Sequence, residues 1–356
     1  MVNSNNLDET EQKNYVLDAN QCLWPKNVCV PIHNCPKINN QLYRDKLTPI
    51  EKNYLQMKQC GFRNGTIFVC CKSSLPRPGV CGPLFQDNRI SHGKIANMDW
   101  FPWTAVLIVK YKSGKIKQKC GGSLLNQKYV LTSAHCVTKT ENSREIQKIY
   151  ELRLGEWNIT NLEPDQMISS FDNTTITADP VLYLGVEKYI IHENYVRHEN
   201  KNDIALLKLN KTVSYTKYIR PICLTSPQKS RIPTEPNNLY IMGWGKTENQ
   251  KLSDIKRYAA ITYVPKKKCE KIYRENVGYH FKGKFSEEHF CAGGTKDACG
   301  GDSGGPVAIL QNVSNKWAYF IVGIITYGTT PCGNDDPGVY TKISKYIEWI
   351  IQNMEH

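Results

Sequence analysis

Three short segments of this 356-residue chain carry side chains that could do chemistry together. Leu131-Thr132-Ser133-Ala134-His135-Cys136 sets an imidazole beside a cysteine directly after an apolar run, and Asn202-Asp203-Ile204-Ala205-Leu206-Leu207 leads a carboxylate into an apolar strand. Taken singly, His135 reads as a structural histidine and Asp203 as a turn aspartate. The third segment, Gly300-Gly301-Asp302-Ser303-Gly304-Gly305-Pro306, is harder to explain structurally, because so many glycines around one exposed hydroxyl weaken any regular element. A serine hydroxyl is a poor nucleophile at neutral pH. It needs an imidazole to take its proton and a carboxylate to hold that imidazole in the right tautomer. His135, Asp203 and Ser303 supply those parts, and the small residues around Ser303 let the N–H groups of Gly301 and Ser303 point at a developing oxyanion. Each such donor is commonly worth ~3 kcal/mol in the transition state.

The elements that must position these groups are strands. After Arg89 the chain runs in short segments rich in Val, Ile, Leu, Tyr and Thr: Trp103–Lys110, Gly122–Leu131, Ile204–Leu209, Leu239–Gly243, Pro306–Leu310 and Phe320–Tyr327. Gly, Asn, Asp and Pro separate them, which predicts an all-β sandwich or barrel. Only Ile343, Tyr346, Ile347 and Ile350 recur at helical spacing, predicting one closing helix. Six of the 14 cysteines crowd between Cys22 and Cys71, where no large apolar core is available, so residues 22–71 read as a small module stapled by bridges. Residues 1–21 are polar and read as a disordered arm. Residues 72–89, with Pro76, Pro78 and Gly79, read as a linker before a domain spanning 90–356.

An even cysteine count points to disulfides and an oxidising compartment. Zinc is the competitor, but the adjacent Cys70-Cys71 pair and the lack of paired C-x-x-C motifs do not suit a tetrahedral site, so no metal is expected. Sequons at Asn64, Asn158, Asn173, Asn210 and Asn312 fit a secreted glycoprotein. Residues Met1–Asn20 hold Asp8, Glu9, Glu11, Lys13 and Asp18 without an apolar stretch and are not expected to act as a signal peptide. The longest uncharged apolar run, near Trp317–Gly328, is too short for a membrane helix. A net charge of +13 raises nucleic acid as a partner, and a soluble basic surface is the reading favoured instead.

The order His135, Asp203, Ser303, together with TSAHC, NDIALL and GDSGGP, resembles the chymotrypsin-like serine proteases of trypsin type. With six cysteines ending in an adjacent pair ahead of a linker, residues 22–356 resemble the clip-domain serine proteases of arthropods. The resemblance implies an all-β, two-barrel protease domain with a C-terminal helix behind a clip domain. It implies pairs Cys22–Cys70, Cys29–Cys60, Cys35–Cys71, Cys81–Cys223, Cys120–Cys136, Cys269–Cys291 and Cys299–Cys332. Asp297, with Gly328 and Gly338 at the pocket walls, would select Arg or Lys, while Tyr327 and Thr326 depart from the usual tryptophan and serine. It also implies a zymogen cut between Arg89 and Ile90, whose new ammonium pairs with Asp302. Here Ser91 and His92 depart from the usual terminus, and the rival site Arg77 precedes Pro78 and makes a poor substrate. The expected partners are a downstream zymogen or precursor, an activating protease and a serpin-type inhibitor in a haemolymph-like fluid, in melanisation or Toll-type signalling. The alternatives are a non-catalytic homologue acting as a binding cofactor, against which the intact Ser303 speaks, and a digestive trypsin, disfavoured by the clip module.

Two features stand outside this scheme. Lys110, Lys112, Lys115, Lys117 and Lys119 alternate along a hairpin, which reads as a solvated hairpin or as an exosite for an acidic partner. Glu156, Asn158, Glu163 and Asp165 follow Leu154-Gly155 much as in calcium-binding relatives, leaving calcium as the one cofactor to test.

Overall fold

The computed structural model describes residues 14–15, 22, 27–42, 48–84, 94–111, 113–139, 148–161, 163–168, 173–224, 232, 238–247, 249, 251–276, 285–293, 298–313, 315–328 and 336–355. Two compact units emerge. One is built from residues up to Leu75 together with Tyr346–His356, and the other from Pro76–Thr225 and Lys229–Lys345.

In the first unit an antiparallel sheet runs in the order β1 (Asn14–Tyr15), β3 (Gln59–Arg63), β4 (Thr66–Lys72), β2 (Asn27–Pro31). The β3–β4 hairpin turns on Asn64-Gly65, both at positive φ (48° and 76°), as a two-residue turn of this hand requires. Its apolar interior is small, with Phe68 packed among Cys22, Cys60, Cys29 and Cys70. Bridges Cys22–Cys70, Cys29–Cys60 and Cys35–Cys71 therefore carry much of the stability, each closing a loop worth about 3–4 kcal/mol of unfolded-chain entropy. Two helices here escape sequence periodicity, α1 (Pro36–Leu42) and α2 (Pro49–Lys58). Among the described side chains of α2 only Leu55 is buried, too little to mark a stripe. The predicted closing helix is α5 (Ile347–Gln352), and Asn34 Nδ2 donates to the Gln352 carbonyl.

The second unit contains two β layers. The first is antiparallel: β12 (Leu182–Leu184), β9 (Glu151–Leu154), β6 (Thr104–Lys110), β7 (Ile116–Leu124), β8 (Tyr129–Thr132), β14 (Ala205–Leu209), β13 (Val186–Ile191). All of Thr104–Val109 in β6 is buried, so this strand is covered on both faces and reads as continuous apolar sequence. A hairpin, β10 (Gln166–Ile168) with β11 (Thr175–Thr177), follows β9 in the chain. The second layer runs β15 (Cys223–Leu224), β20 (Lys316–Tyr327), β19 (Pro306–Val313), β16 (Leu239–Gly243), β17 (Arg257–Val264), β18 (His289–Gly293), β21 (Pro337–Lys342). Strand β21 pairs back onto β20, which closes a six-stranded barrel, and β5 (Lys94–Ile95) adds to β17. The fold is mostly β, with this barrel and a half-barrel. The outer strands of the half-barrel, β12 and β13, are consecutive in the chain, parted by Gly185 alone and paired with β9 and β14, and the all-β, chymotrypsin-like expectation holds.

Helix α4 (Lys266–Asn276) was not expected. Its buried stripe is only Cys269 and Tyr273, four residues apart, pinned by the Cys269–Cys291 bridge and by Tyr273 Oη donating to the Pro337 carbonyl at 2.9 Å.

Cys81 bridges to Cys223, and the next residue is fixed as well: Gly82 N–H donates to the Pro221 carbonyl at 2.8 Å, and Tyr319 N–H to the Gly82 carbonyl at 3.0 Å. A chain cut after Arg89 is therefore expected to run as one species on non-reducing electrophoresis and as two with reductant. A free light chain without reductant would refute the bridge.

Candidate active site

The register Ala205↔Thr132 between β14 and β8 brings the end of one strand beside the start of the other. Asp203 and His135 therefore leave the sheet at the same end, His135 on the short helix α3 (Ala134–Val137). Asp203 is fully buried and spends both oxygens on that histidine: Oδ2 lies 2.7 Å from His135 Nδ1, and Oδ1 accepts the His135 backbone N–H at 2.8 Å. This places the proton on Nδ1 and leaves Nε2 as the free base. The aspartate backbone is clamped too. Thr341 Oγ1 donates to the Asp203 carbonyl at 3.3 Å, and Thr326 Oγ1 lies 2.8 Å from Thr341 Oγ1 and accepts the Thr341 N–H. Thr326, which departs from the usual serine, thus acts through Thr341 and the backbone.

Ser303 sits in the loop that enters β19. The Asp302 N–H donates to Cys299, the Gly304 N–H to Ile325 and the Gly305 N–H to Asp302, at 2.9, 2.8 and 2.8 Å. Its own carbonyl accepts the Gly121 N–H at 2.8 Å and lies 3.5 Å from Cys136 Sγ, so the loop rests on the turn that carries His135. Gly304 explains part of the glycine density. At φ +79° its Cβ would fall 2.2 Å from Thr132 Oγ1 and 2.6 Å from the Gly121 carbonyl. The N–H groups of Gly301 and Ser303 donate to no described residue.

Two residues in this region were missed by sequence reasoning. Gln118 Nε2 donates to the Gly301 carbonyl at 3.4 Å and so ties β7 to the loop before Ser303. Hidden between Lys117 and Lys119, it carried no signal beyond strand alternation. Thr341 likewise looked like one more strand threonine.

The Asp302 carboxylate lies against a wall of glycines. Its Oδ1 accepts the Gly245 N–H at 2.7 Å and its Oδ2 the Cys299 N–H at 3.2 Å. A Cβ at Gly243 or Gly245 would come within 2.2 or 2.1 Å of these oxygens. Desolvation pushes this acid up to about 6, the two N–H donors pulling the other way.

Gly328 follows the last residue of β20 and Gly338 lies in β21, next to the register pair Tyr327↔Val339, so the two are on neighbouring strands. Asp297, Arg89, Ile90 and Cys332 lie outside the described residues, and Cys299 is disulfide-bonded. A sixth described bridge is Cys120–Cys136, and no described cysteine is free. Lys110, Lys115 and Lys117 are exposed and Lys119 is half-buried, its ammonium lowered to about 8 by burial and then by Arg197; Lys112 is outside the described residues. Asn64, Asn173, Asn210 and Asn312 are exposed, and Asn158 is half-buried. No helix among the described residues is long and apolar enough to cross a membrane.

Residues 90–350 match the trypsin family and residues 22–71 the regulatory CLIP domain of proteinases. The chain is 35% identical to the Spaetzle-processing enzyme of Drosophila melanogaster, over 92% of this chain and 88% of the relative. It is 37% identical to phenoloxidase-activating factor 1 of Holotrichia diomphalia, over 92% of this chain and 90% of that one. The crystal structure of the Drosophila Grass clip serine protease of the Toll pathway superposes with a TM-score of 0.66 at 30% identity, covering 92% of this chain and 94% of that one. Two matched domains, together spanning most of the sequence, and relatives alike over nearly their whole length make this chain a member of the clip-domain serine proteases of the trypsin family.

Proposed function

We propose that this protein is a secreted zymogen which, once cut between Arg89 and Ile90, hydrolyses peptide bonds after Arg or Lys in a downstream protein of an extracellular immune or developmental cascade. The observation that carries the proposal is the fully buried Asp203, which holds His135 through both oxygens on the turn against which the Ser303 loop rests. In the reaction His135 Nε2 takes the proton of Ser303 Oγ as that oxygen attacks the scissile carbonyl. The N–H groups of Gly301 and Ser303 receive the oxyanion, and His135 returns the proton to the leaving amine. Water then repeats the sequence on the acyl-enzyme. Asp297, six residues before Ser303, would meet the substrate cation at the base of a pocket walled by Gly328 and Gly338. The names of the relatives, one processing Spaetzle and another activating phenoloxidase, support a role upstream of another precursor, with an activating protease above it and a serpin-type inhibitor against it.

The test is cleavage. Intact protein should be inert on an Arg-amide substrate until a trypsin-like protease cuts at Arg89, and Arg89→Gln should stay inert under the same treatment. Full activity of the uncut chain would overturn the zymogen reading. A cut chain that binds cascade partners but never turns over Arg, Lys or other substrates would favour a non-catalytic cofactor.

A further inference from the structure

A cavity of about 380 Å³ is lined from β17, β18, β21, the first residue of α4 and residues 285–287. Binding clefts typically enclose about 300–1,000 Å³. Tyr263, Phe285 and Phe290 give it an apolar lining, and Lys266 and Lys342 line it as well. It shares no lining residue with the triad or with the loop that carries Ser303. The frame behind it is fixed. The buried His289 donates from Nε2 to the Asn200 carbonyl at 3.0 Å, and its Nδ1 lies 3.3 Å from Ser286 Oγ. Glu288 Oε2 accepts the Asn202 N–H at 3.3 Å and Ser286 Oγ at 3.4 Å, while the Glu288 carbonyl accepts the Lys342 N–H at 2.7 Å. The Cys269–Cys291 bridge ties α4 to β18.

The charges around this hollow are unbalanced. Lys266 Nζ meets the exposed Glu287 at 3.0 Å, a surface pair that contributes little and can exchange partners. Lys266 holds Glu287 below the usual carboxylate range, with Lys345 and Lys342 adding to the effect, so the three ammonium groups act on one place. Lys342 and Lys345 make no ion pair with any described residue. Of the other titratable groups here, Glu288 is turned toward Asn202 and Ser286, and burial lowers His289 and favours its neutral ring. Farther along α4, Lys267, Lys268, Lys271 and Arg274 are exposed, with Glu270 and Glu275 between and after them, the latter 3.8 Å from Lys271. Seven cations thus stand with four carboxylates over α4, residues 285–289 and Lys342–Lys345.

A purely anionic chain would leave the aromatic lining unused, and a purely apolar one would leave the lysines unanswered. We propose that this cavity docks an acidic segment of a partner protein, which inserts one aromatic side chain between Tyr263 and Phe285 and sets its carboxylates against Lys266, Lys342 and Lys345. An aromatic anchor in a pocket supplies most of the affinity, and the charges supply register and on-rate. The uncut full-length chain is titrated against a fluorescein-labelled peptide with one phenylalanine between two pairs of acidic residues, followed by anisotropy. This readout is independent of which bond the cut enzyme hydrolyses. Binding should be saturable and should weaken roughly tenfold in Lys266→Gln/Lys342→Gln. It should weaken roughly tenfold or more when the peptide's phenylalanine is replaced by serine. Both lysines are partly exposed, so the double variant should keep the wild-type Tm; the change in the peptide decides the matter even if it does not fold. Absence of saturable binding would overturn the proposal, as would binding that ignores either the two lysines or the phenylalanine. Tighter binding of a heparin-derived hexasaccharide at the same lysines would also overturn it, in favour of a sulfated glycan.

Discussion

Ser303→Ala in the Arg89-cut enzyme is expected to lower kcat by roughly 10⁶-fold, the loss seen when a serine nucleophile is removed from a working triad. The loop should not notice the change. Its shape is set by backbone bonds from Asp302, Gly304, Gly305 and Gly121, and by glycines with no room for a Cβ, none of which involves the Ser303 hydroxyl. Circular dichroism, Tm and the affinity for a reversible arginine-mimicking inhibitor should therefore stay at wild-type values. A residual rate near wild type would mean that another nucleophile acts, and that His135 and Asp203 serve it instead. Loss of inhibitor binding would mean that the hydroxyl also shapes the pocket.

How far the site could be read from the sequence depended on how local its chemistry is. His135, Asp203 and Ser303 were legible because each needs unusual neighbours: a helical turn after a strand, a carboxylate entering a buried strand, and glycines where side chains would collide. Strands β6, β14 and β20 were legible because near-continuous apolar runs are what doubly covered strands require. Contacts between distant segments left no such mark. Gln118 reaches Gly301 across 183 positions and Thr341 reaches Asp203 across 138, and neither residue type is unusual in a strand. Helix α4 opens with three lysines and buries two residues, so its helicity rests on a bridge and one hydroxyl rather than on an apolar stripe. Lys256 likewise looks like surface beside Arg257, yet it is buried, with its ammonium 5.8 Å from the centroid of the Trp244 ring.

Asp302→Asn is the other substitution with a large expected effect, and the reason lies in what the carboxylate lacks. Two backbone N–H groups and a glycine wall hold it, no cation stands against it among the described residues, and desolvation pushes the acid up to about 6. A carboxyl group raised above its unfolded value binds its proton more tightly in the fold. Ionising it therefore costs the uncut chain stability as pH rises through the window from the ordinary carboxylate range to about 6. An ammonium freed at Ile90 would offset that cost. By pairing with Asp302 it would hold the Gly300–Gly304 loop with the Gly301 and Ser303 N–H groups aimed at the oxyanion. Paired, the amine is raised above its free value of about 8. Its contribution is then fully present below that value and is lost as pH rises through the paired one, so activity of the cut enzyme should fall reversibly on the alkaline side. The carboxamide introduced by Asp302→Asn is nearly isosteric with the carboxylate but has no charge to pair. The variant should be cut normally and keep its fold, yet lose about 10²–10³-fold in kcat, the scale of a disordered oxyanion site, and its remaining activity should no longer show the alkaline fall. Normal turnover with an unchanged pH profile would show that the loop is ordered by something other than this pair.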